Sequence, residues 1–403
     1  MTPTRDDAQR SPMTADGRPL RIAFFGHAEG RRADGLSTYS RELVRALRLE
    51  GAQVRFFAHQ GDGDVVPVES RDSMLLRAWR FKTVTIPRPG AMGSIRAALA
   101  AFAPDVVHIS WSFSLHDGNI ARAAHHLRAA CVATFHLPHG PAGTARGHVL
   151  HGLYRYQRTR MRHVDRCIAL SAEQRDLLVS AGYPADQVAV IPNGVDTDVI
   201  SPGPSNVRAE LEARVVVLYL GRLDPEKRVP ELVESFLSLG LPNDHVLCIA
   251  GDGSQRHRLR RLAAQHRSVR LLGLVSADRA LALLRGCDIF VLPSTAEGLA
   301  LSLLEAMAAG CAIVATDAGE DGRALENAGV VIPTHPLRPA LSNALQSLVS
   351  QPELRAQLGR AARQRAVKTY AMSQNAQRVL AVYAAVARSA SEAPGTATPA
   401  TLP

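Results

Sequence analysis

Residues 294–310 read S-T-A-E-G-L-A-L-S-L-L-E-A-M-A-A-G and set two carboxylates into an otherwise apolar stretch. Residues 299–309 are nearly all Ala, Leu and Met, which favour helix. Ser294, Thr295 and Gly298 stand before them as start signals, and Gly310 follows as a stop. Glu297 then lies at the helix mouth and Glu305 inside it. Eight residues of helix at about 1.5 Å each put them roughly 12 Å apart. A buried carboxylate is costly without a partner. The pair reads either as one capping and one solvated Glu, or as two groups binding hydroxyls of a long polar ligand. The helix amino terminus would face an anion.

Residues 221–228, G-R-L-D-P-E-K-R, supply cations. They follow a β-branched run, residues 215–220, that predicts a buried strand. Open α/β sheets bind ligands at the carboxyl ends of their strands. Arg222 as a fork and Lys227 as a point charge suit a diphosphate there. The plainer reading is a solvated charged loop.

Together, and in this order, the two stretches resemble the donor-site signature of retaining, GT-B-type glycosyltransferases of family 4 (glycosyl transferase group 1). Glu297 and Glu305 match that family's E-x7-E motif, and Arg222 and Lys227 its phosphate-binding Arg and Lys. The resemblance is strongest over residues 188–370 and weaker over 21–164. It implies an α/β fold of GT-B type: two Rossmann-like domains facing a central cleft, with a C-terminal helix crossing back to the first domain. It implies retaining transfer of a hexosyl group from a nucleotide-diphosphate sugar, UDP-linked before GDP-linked, to a lipid or glycan acceptor. No cofactor and no metal are implied, because Arg222 and Lys227 neutralise the leaving diphosphate. The resemblance assigns ribose hydroxyls to Glu305, sugar hydroxyls to Glu297, and backbone contacts with the donor to Gly298, Leu299, Ala300 and Leu301. Gly251, Asp252, Gly253 and Val275 join the donor side. Where many members carry Phe-Gly after the first Glu, this chain carries Leu299-Ala300, which leaves the donor sugar open.

The chain of 403 residues is long enough for two domains. Hydrophobic content of 46% and charged content of 21% suit a globular protein. No apolar run reaches the roughly 18 residues of a membrane span, and residues 1–19 lack the apolar core of a signal peptide. The five Cys show no C-x-x-C spacing and read as reduced, cytoplasmic thiols. A net charge of +10 favours anionic partners.

Strand and helix alternate from residue 21. The expected division is a disordered tail, 1–20; an acceptor-side domain, 21–200; a nucleotide-sugar domain, 201–370; a crossover helix, 371–388; and a tail, 389–403. The S-P-G-P-S-N segment at 201–206 is the expected boundary. The loop after the first strand holds Gly30, Asp34 and Gly35. It lacks G-x-G-x-x-G, and the family places it on the acceptor side through Gly35. His108 and His136 are placed at strand ends, where ligands bind. His136 matches the family's active-site His after T-x-H, with His108 and His139 secondary. Asp62-Gly63-Asp64 and Asp196-Thr197-Asp198 imitate D-x-D metal sites but read as turn residues.

Residues 152–166 are the most basic stretch. At helical spacing Arg155, Arg158, Arg162 and Arg166 share one face, beside an apolar face. This reads as a solvated stripe, or as a peripheral contact with an anionic membrane at its cytoplasmic side. Nucleic acid is disfavoured, since aromatic residues are 5% and do not interleave with the basic clusters. Two rival functions are a nucleotide-sugar epimerase on the same architecture and a non-enzymatic polyanion-binding protein.

Overall fold

The computed structural model describes residues 14, 17–27, 35–60, 73–81, 84–88, 90–111, 113–114, 116–136 and 145–392. The chain divides into two compact units, one of Met1–Ile191 with Ala376–Pro403, the other of Pro192–Asn375.

The first unit is built on β1 (Arg21–His27), β2 (Gln53–Gln60), β3 (Ser73–Phe81), β4 (Val84–Pro87), β5 (Val106–Trp111), β6 (Phe113–Ser114), β7 (Ala130–Phe135), β8 (Arg166–Ala169) and β9 (Val188–Val190). Their order is β6-β4-β3-β2-β1-β5-β7-β8-β9. From β3 to β9 every pairing is parallel, and β4 joins β3 antiparallel. A parallel sheet is covered on both faces by its crossover helices, so its strands read as continuous apolar runs. β5 and β7 are buried at every position.

The second unit holds β10 (Val215–Leu220), β11 (His245–Ala250), β12 (Val269–Gly273), β13 (Ile289–Leu292), β14 (Ala312–Thr316) and β15 (Val330–Ile332). The order β12-β11-β10-β13-β14-β15 is parallel throughout. The chain runs outward from β10 to β12, returns to β13 and runs outward the other way. The reversal leaves a crevice at the carboxyl ends of β10 and β13, where such sheets bind ligands. Helix Leu301–Ala309 follows β13 and buries Leu303, Leu304 and Met307 completely. Each is worth about 1.5–3 kcal/mol of apolar burial. Gly310 ends the helix at φ 78°, a conformation open to glycine.

The segments expected to be linkers carry contacts. Ser205 Oγ donates to Ala282 O at 2.7 Å, and Arg285 Nε to Ser201 O at 2.9 Å, so residues 201–206 sit inside the second unit. The turn at residues 193–196 (N-G-V-D), just before that segment, is tied there too: Val195 N donates to Tyr370 O at 2.8 Å, and Met372 N to Val195 O at 2.9 Å. Proline and glycine mark a turn-rich path, which is not the same as a path without contacts. Before residue 21, Arg18 pairs with Asp105 at 2.6 Å and Leu20 is buried. Helix Met372–Glu392 outlasts the expected crossover, and its residues from Ala376 belong to the first unit.

Candidate active site

The loops after β10 and β11 run against each other because Gly251 permits it. A Cβ there would stand 1.8 Å from Gly221 O, at a φ of 147°. Gly221 N donates to Ala250 O, and Leu223 N to Asp252 O, each at 3.0 Å. Ser254 reaches back, its N and Oγ donating to Asp224 Oδ1 at 3.2 and 3.0 Å. The Tyr219 hydroxyl donates to Arg222 O at 2.5 Å. This frame presents the turn Pro225–Lys227. Arg222 lies exposed on its outer side, forked to Asp224 and Glu226, while Lys227 points inward.

The loop after β13 meets that turn. Thr295 N donates to Glu226 O at 2.8 Å, and Lys227 Nζ donates to Glu297 Oε1. The two side chains are only 12% and 10% exposed, so this is a buried ion pair. From β14, Glu320 N donates to Gly298 O at 2.8 Å. Gly319 crosses so close that a Cβ would lie 2.1 Å from Glu297 O, at a φ of 59°. Asp321 Oδ1 accepts from Ala300 N at 3.0 Å, at the start of helix Leu301–Ala309. Burial, with the Glu297 charge adding to it, pushes the Asp321 carboxyl well above its ordinary value.

The structure thus joins Arg222, Lys227, Glu297 and Gly298 at the β10–β13 reversal, with Gly251, Asp252 and Gly253 beside them. Glu305 is half-buried in the second turn of the helix, and Leu301 opens it. Of the expected backbone donors, the Ala300 N–H is taken by Asp321, and the Leu299 side chain packs into the apolar core. Val275 also packs on the core, half-buried. Sequence reasoning missed Asp321 and Asn193, whose Nδ2 donates to Leu299 O at 3.1 Å. The available signal for Asp321 was an acidic residue just past a β-strand that neighbours β13.

The family profile of Glycosyl transferases group 1 matches residues 205–365, and that of Glycosyltransferase Family 4 matches residues 33–199. Glycogen synthase of Mycobacterium tuberculosis is 30% identical over 297 residues, covering 71% of this chain and 70% of that protein. The chain belongs to the group 1, family 4 glycosyltransferases. Phosphatidyl-myo-inositol mannosyltransferase of Mycobacterium leprae is 28% identical over 382 residues, covering 89% of this chain and 95% of the relative. Sucrose-phosphate synthase from Thermosynechococcus elongatus superposes with a TM-score of 0.74 at 20% identity, over 92% of this chain and 100% of the other. Anabaena Alr3699/HepE in complex with UDP gives 0.71 at 17% identity, over 91% and 100%. The fold is GT-B.

In the first unit of this glycosyltransferase, Gly35 opens helix Gly35–Leu49 and is exposed. His136 follows β7. Its ring packs edge-on against Tyr39 with centroids 4.4 Å apart, and its Nε2 has no hydrogen-bond partner among the described residues. Burial, then the neighbouring His27 and His108, hold its pKa well below the ordinary value, so the ring is neutral. His139 lies outside the described residues.

His108 does not end its strand, and both its ring nitrogens are engaged by protein groups. It is the third residue of β5, fully buried and stacked on Phe24 at 4.3 Å. Its Nε2 meets Thr134 Oγ1 at 3.2 Å and its Nδ1 meets the Tyr383 hydroxyl at 2.7 Å. Burial lowers its pKa from 6.5 to about 3. The folded state therefore holds it neutral, while the unfolded chain takes up a proton below about pH 6.5. Its contribution is full above that pH and is lost as pH falls towards 3. Between pH 7 and pH 5 this one group should cost about 2 kcal/mol. His108→Gln, which cannot titrate, should remove that share of the slope in urea unfolding. Identical slopes in both proteins would refute the assignment.

The four-arginine helical stripe is not formed. Arg155 and Arg158 lie on helix Ala145–Arg160, Arg162 lies in the turn after it, and Arg166 opens β8. Met161, 2% exposed, packs into the core just past the helix end and ahead of β8. Asp196 Oδ1 accepts from the backbone N of Asp198 and Val199, at 3.1 and 3.0 Å, which is a turn and not a metal ligand set. Asp62 and Asp64 lie outside the described residues. Among those described, no group of three or more His, Cys, Asp or Glu could hold a metal ion. No helix among them is long and apolar enough to cross a membrane.

Proposed function

We propose that this glycosyltransferase moves a hexosyl group from a nucleotide-diphosphate sugar to a lipid or glycan acceptor, with retention and without a metal ion. A UDP-sugar is favoured over a GDP-sugar. Lys227 carries the reading: it is buried beside Glu297 at the carboxyl end of β10. An ammonium has three N–H donors, so one bond to Glu297 leaves two for diphosphate oxygens. Arg222 adds an exposed fork that can exchange Asp224 and Glu226 for phosphate. Exposed pairs of that kind are worth about 0–1 kcal/mol, so the exchange is cheap.

In this mechanism the bond from the sugar C1 to the diphosphate oxygen breaks as the acceptor oxygen bonds C1 on the same face. The acceptor proton passes to the departing phosphate. Lys227 and Arg222 stabilise the charge that develops on the diphosphate. Glu297 holds sugar hydroxyls, Glu305 the ribose hydroxyls, and neutral His136 orients the sugar and its 6-hydroxyl. Asp321 fixes the start of the helix between the two glutamates. The names of the relatives support both acceptor classes, glycogen for one and phosphatidyl-myo-inositol for the other. The net charge of +10 supports peripheral contact with an anionic membrane at its cytoplasmic face when the acceptor is a lipid.

The test supplies UDP- and GDP-hexoses with lipid extract or oligosaccharides, in EDTA, and follows the products by mass spectrometry and NMR. Nucleotide diphosphate should appear only with an acceptor, and the new linkage should keep the donor's anomeric configuration. Conversion of the donor to an epimer without acceptor would make the protein an isomerase. Loss of activity in EDTA with rescue by manganese would end the metal-free reading. Glu305→Ala should weaken nucleotide binding by about 10–100-fold, as removal of a charged hydrogen-bond partner does. Unchanged calorimetric affinity would remove Glu305 from the ribose.

A further inference from the structure

Three of the four arginines that sequence spacing placed on a helix face, Arg155, Arg158 and Arg162, instead line a cavity of about 810 Å³. Its walls come from the last turns of helix Ala145–Arg160, the turn into β8, and residues 180–187 before β9. β7, β8 and β9 run parallel. The cavity therefore sits at the amino-terminal edge of the sheet, opposite the edge where β7 presents His136. It is a second site, away from the transfer chemistry.

Arg155, Arg158 and Arg162 have no carboxylate partner among the described residues; Arg162 Nε donates to His163 Nε2 at 3.2 Å. Arg158 spreads over Gly182, its Nη1 3.0 Å from where a Cβ would stand. All three side chains are exposed and water screens their mutual repulsion; what they offer an anion is three guanidinium forks grouped round one depression. Tyr183, 6% exposed, lines the same cavity, and its buried hydroxyl has no hydrogen-bond partner among the described residues. Leaving such a hydroxyl unpaired costs about 1–3 kcal/mol. Burial raises its pKa, with Arg158 pulling the other way, so it stays protonated and able to donate.

We propose that this cavity binds a phosphoryl anion, a phosphate monoester either free in solution or borne by a lipid. Arg155, Arg158 and Arg162 would take its oxygens, and the Tyr183 hydroxyl would donate to one of them. Guanidinium forks match phosphate geometry, and three positive charges match a dianion better than a single carboxylate.

Calorimetric titration with inorganic phosphate at fixed ionic strength tests the site. Any phosphate bound near Lys227 is common to all the proteins compared, so differences isolate the cavity. Wild type should show a saturable event that is at least ten-fold weaker in Arg155→Gln/Arg158→Gln. Tyr183→Phe should bind several-fold more weakly with an unchanged or raised unfolding midpoint, since it removes an unpaired hydroxyl. A structural role alone would not separate those two readouts. Superimposable titrations of wild type and the arginine variant would overturn the proposal. A second arm uses phosphatidylcholine vesicles with and without phosphatidic acid. Retention of wild type but not of the variant on phosphatidic acid assigns the site to a lipid headgroup. Retention of neither, with phosphate binding intact, assigns it to a soluble phosphate compound.

Discussion

Lys227→Met should lower the transfer rate by about 10²–10³, the usual effect of losing one preorganised donor to transition-state charge. It should also destabilise the second unit. Lys227 and Glu297 form a buried pair, and Asp321, itself buried, lies close enough for the Glu297 charge to raise its pKa. Removing the ammonium strands one carboxylate beside another. Breaking a buried pair from one side costs about 3–5 kcal/mol. The two effects separate in Lys227→Met/Glu297→Gln, which removes both charges. Stability should largely return, because the desolvated carboxylate is gone, while transfer stays slow. The measurements are kcat with the matching donor and urea unfolding of the single and double variants. Recovery of rate along with stability would mean that Lys227 serves the fold and not the diphosphate.

Gly251→Ala should be the most damaging single methyl in the second unit. The added Cβ would stand 1.8 Å from Gly221 O, and the position has a φ of 147°. Neither the oxygen nor the strand ends behind it can yield, since Gly221 N is bonded to Ala250 O and Gly251 N to Gly273 O. The loops after β10 and β11 would have to part, and with them the turn that carries Lys227. The loss should exceed about 4 kcal/mol, in the range reserved for overpacking and strained backbone. Gly240→Ala is the control: it has a φ of 59° with nothing within 4 Å of the new methyl. It should cost only about 1–2 kcal/mol of left-handed backbone strain. Similar unfolding midpoints for the two variants would show that dihedral strain, and not the contact with Gly221, governs Gly251.

Local signals carried the second unit. Residues 215–220 and 245–250 are apolar runs of strand length, and each became a strand with those bounds. The Ala-Leu-Met content of residues 299–309 and the closing Gly310 marked the helix, although its first two positions belong to the capping loop. Such features depend on neighbours in the chain, as does the spacing of Glu297 and Glu305. β3 and β4 were not legible, because their mixed residues lack a clean period of two and gain their pairing from β2 and β6.

Tertiary structure decided the partners. Lys227 finds Glu297 from 70 residues away, and Ala300 meets Asp321 only because β14 lies beside β13. His108 and His136 look alike in sequence, each in or just after an apolar run. One is closed off by Thr134 and by Tyr383, 275 residues distant; the other keeps a nitrogen without a partner among the described residues. The basic stretch kept its arginines but not their geometry. Helical spacing held through Arg158, and a turn at residues 161–163 then led the chain into β8. Residue type and spacing are properties of the chain, so they announced the chemistry. Which charge is paired, and which polar atom is left open to a ligand, depends on packing between segments far apart in sequence, and only the folded arrangement determines it.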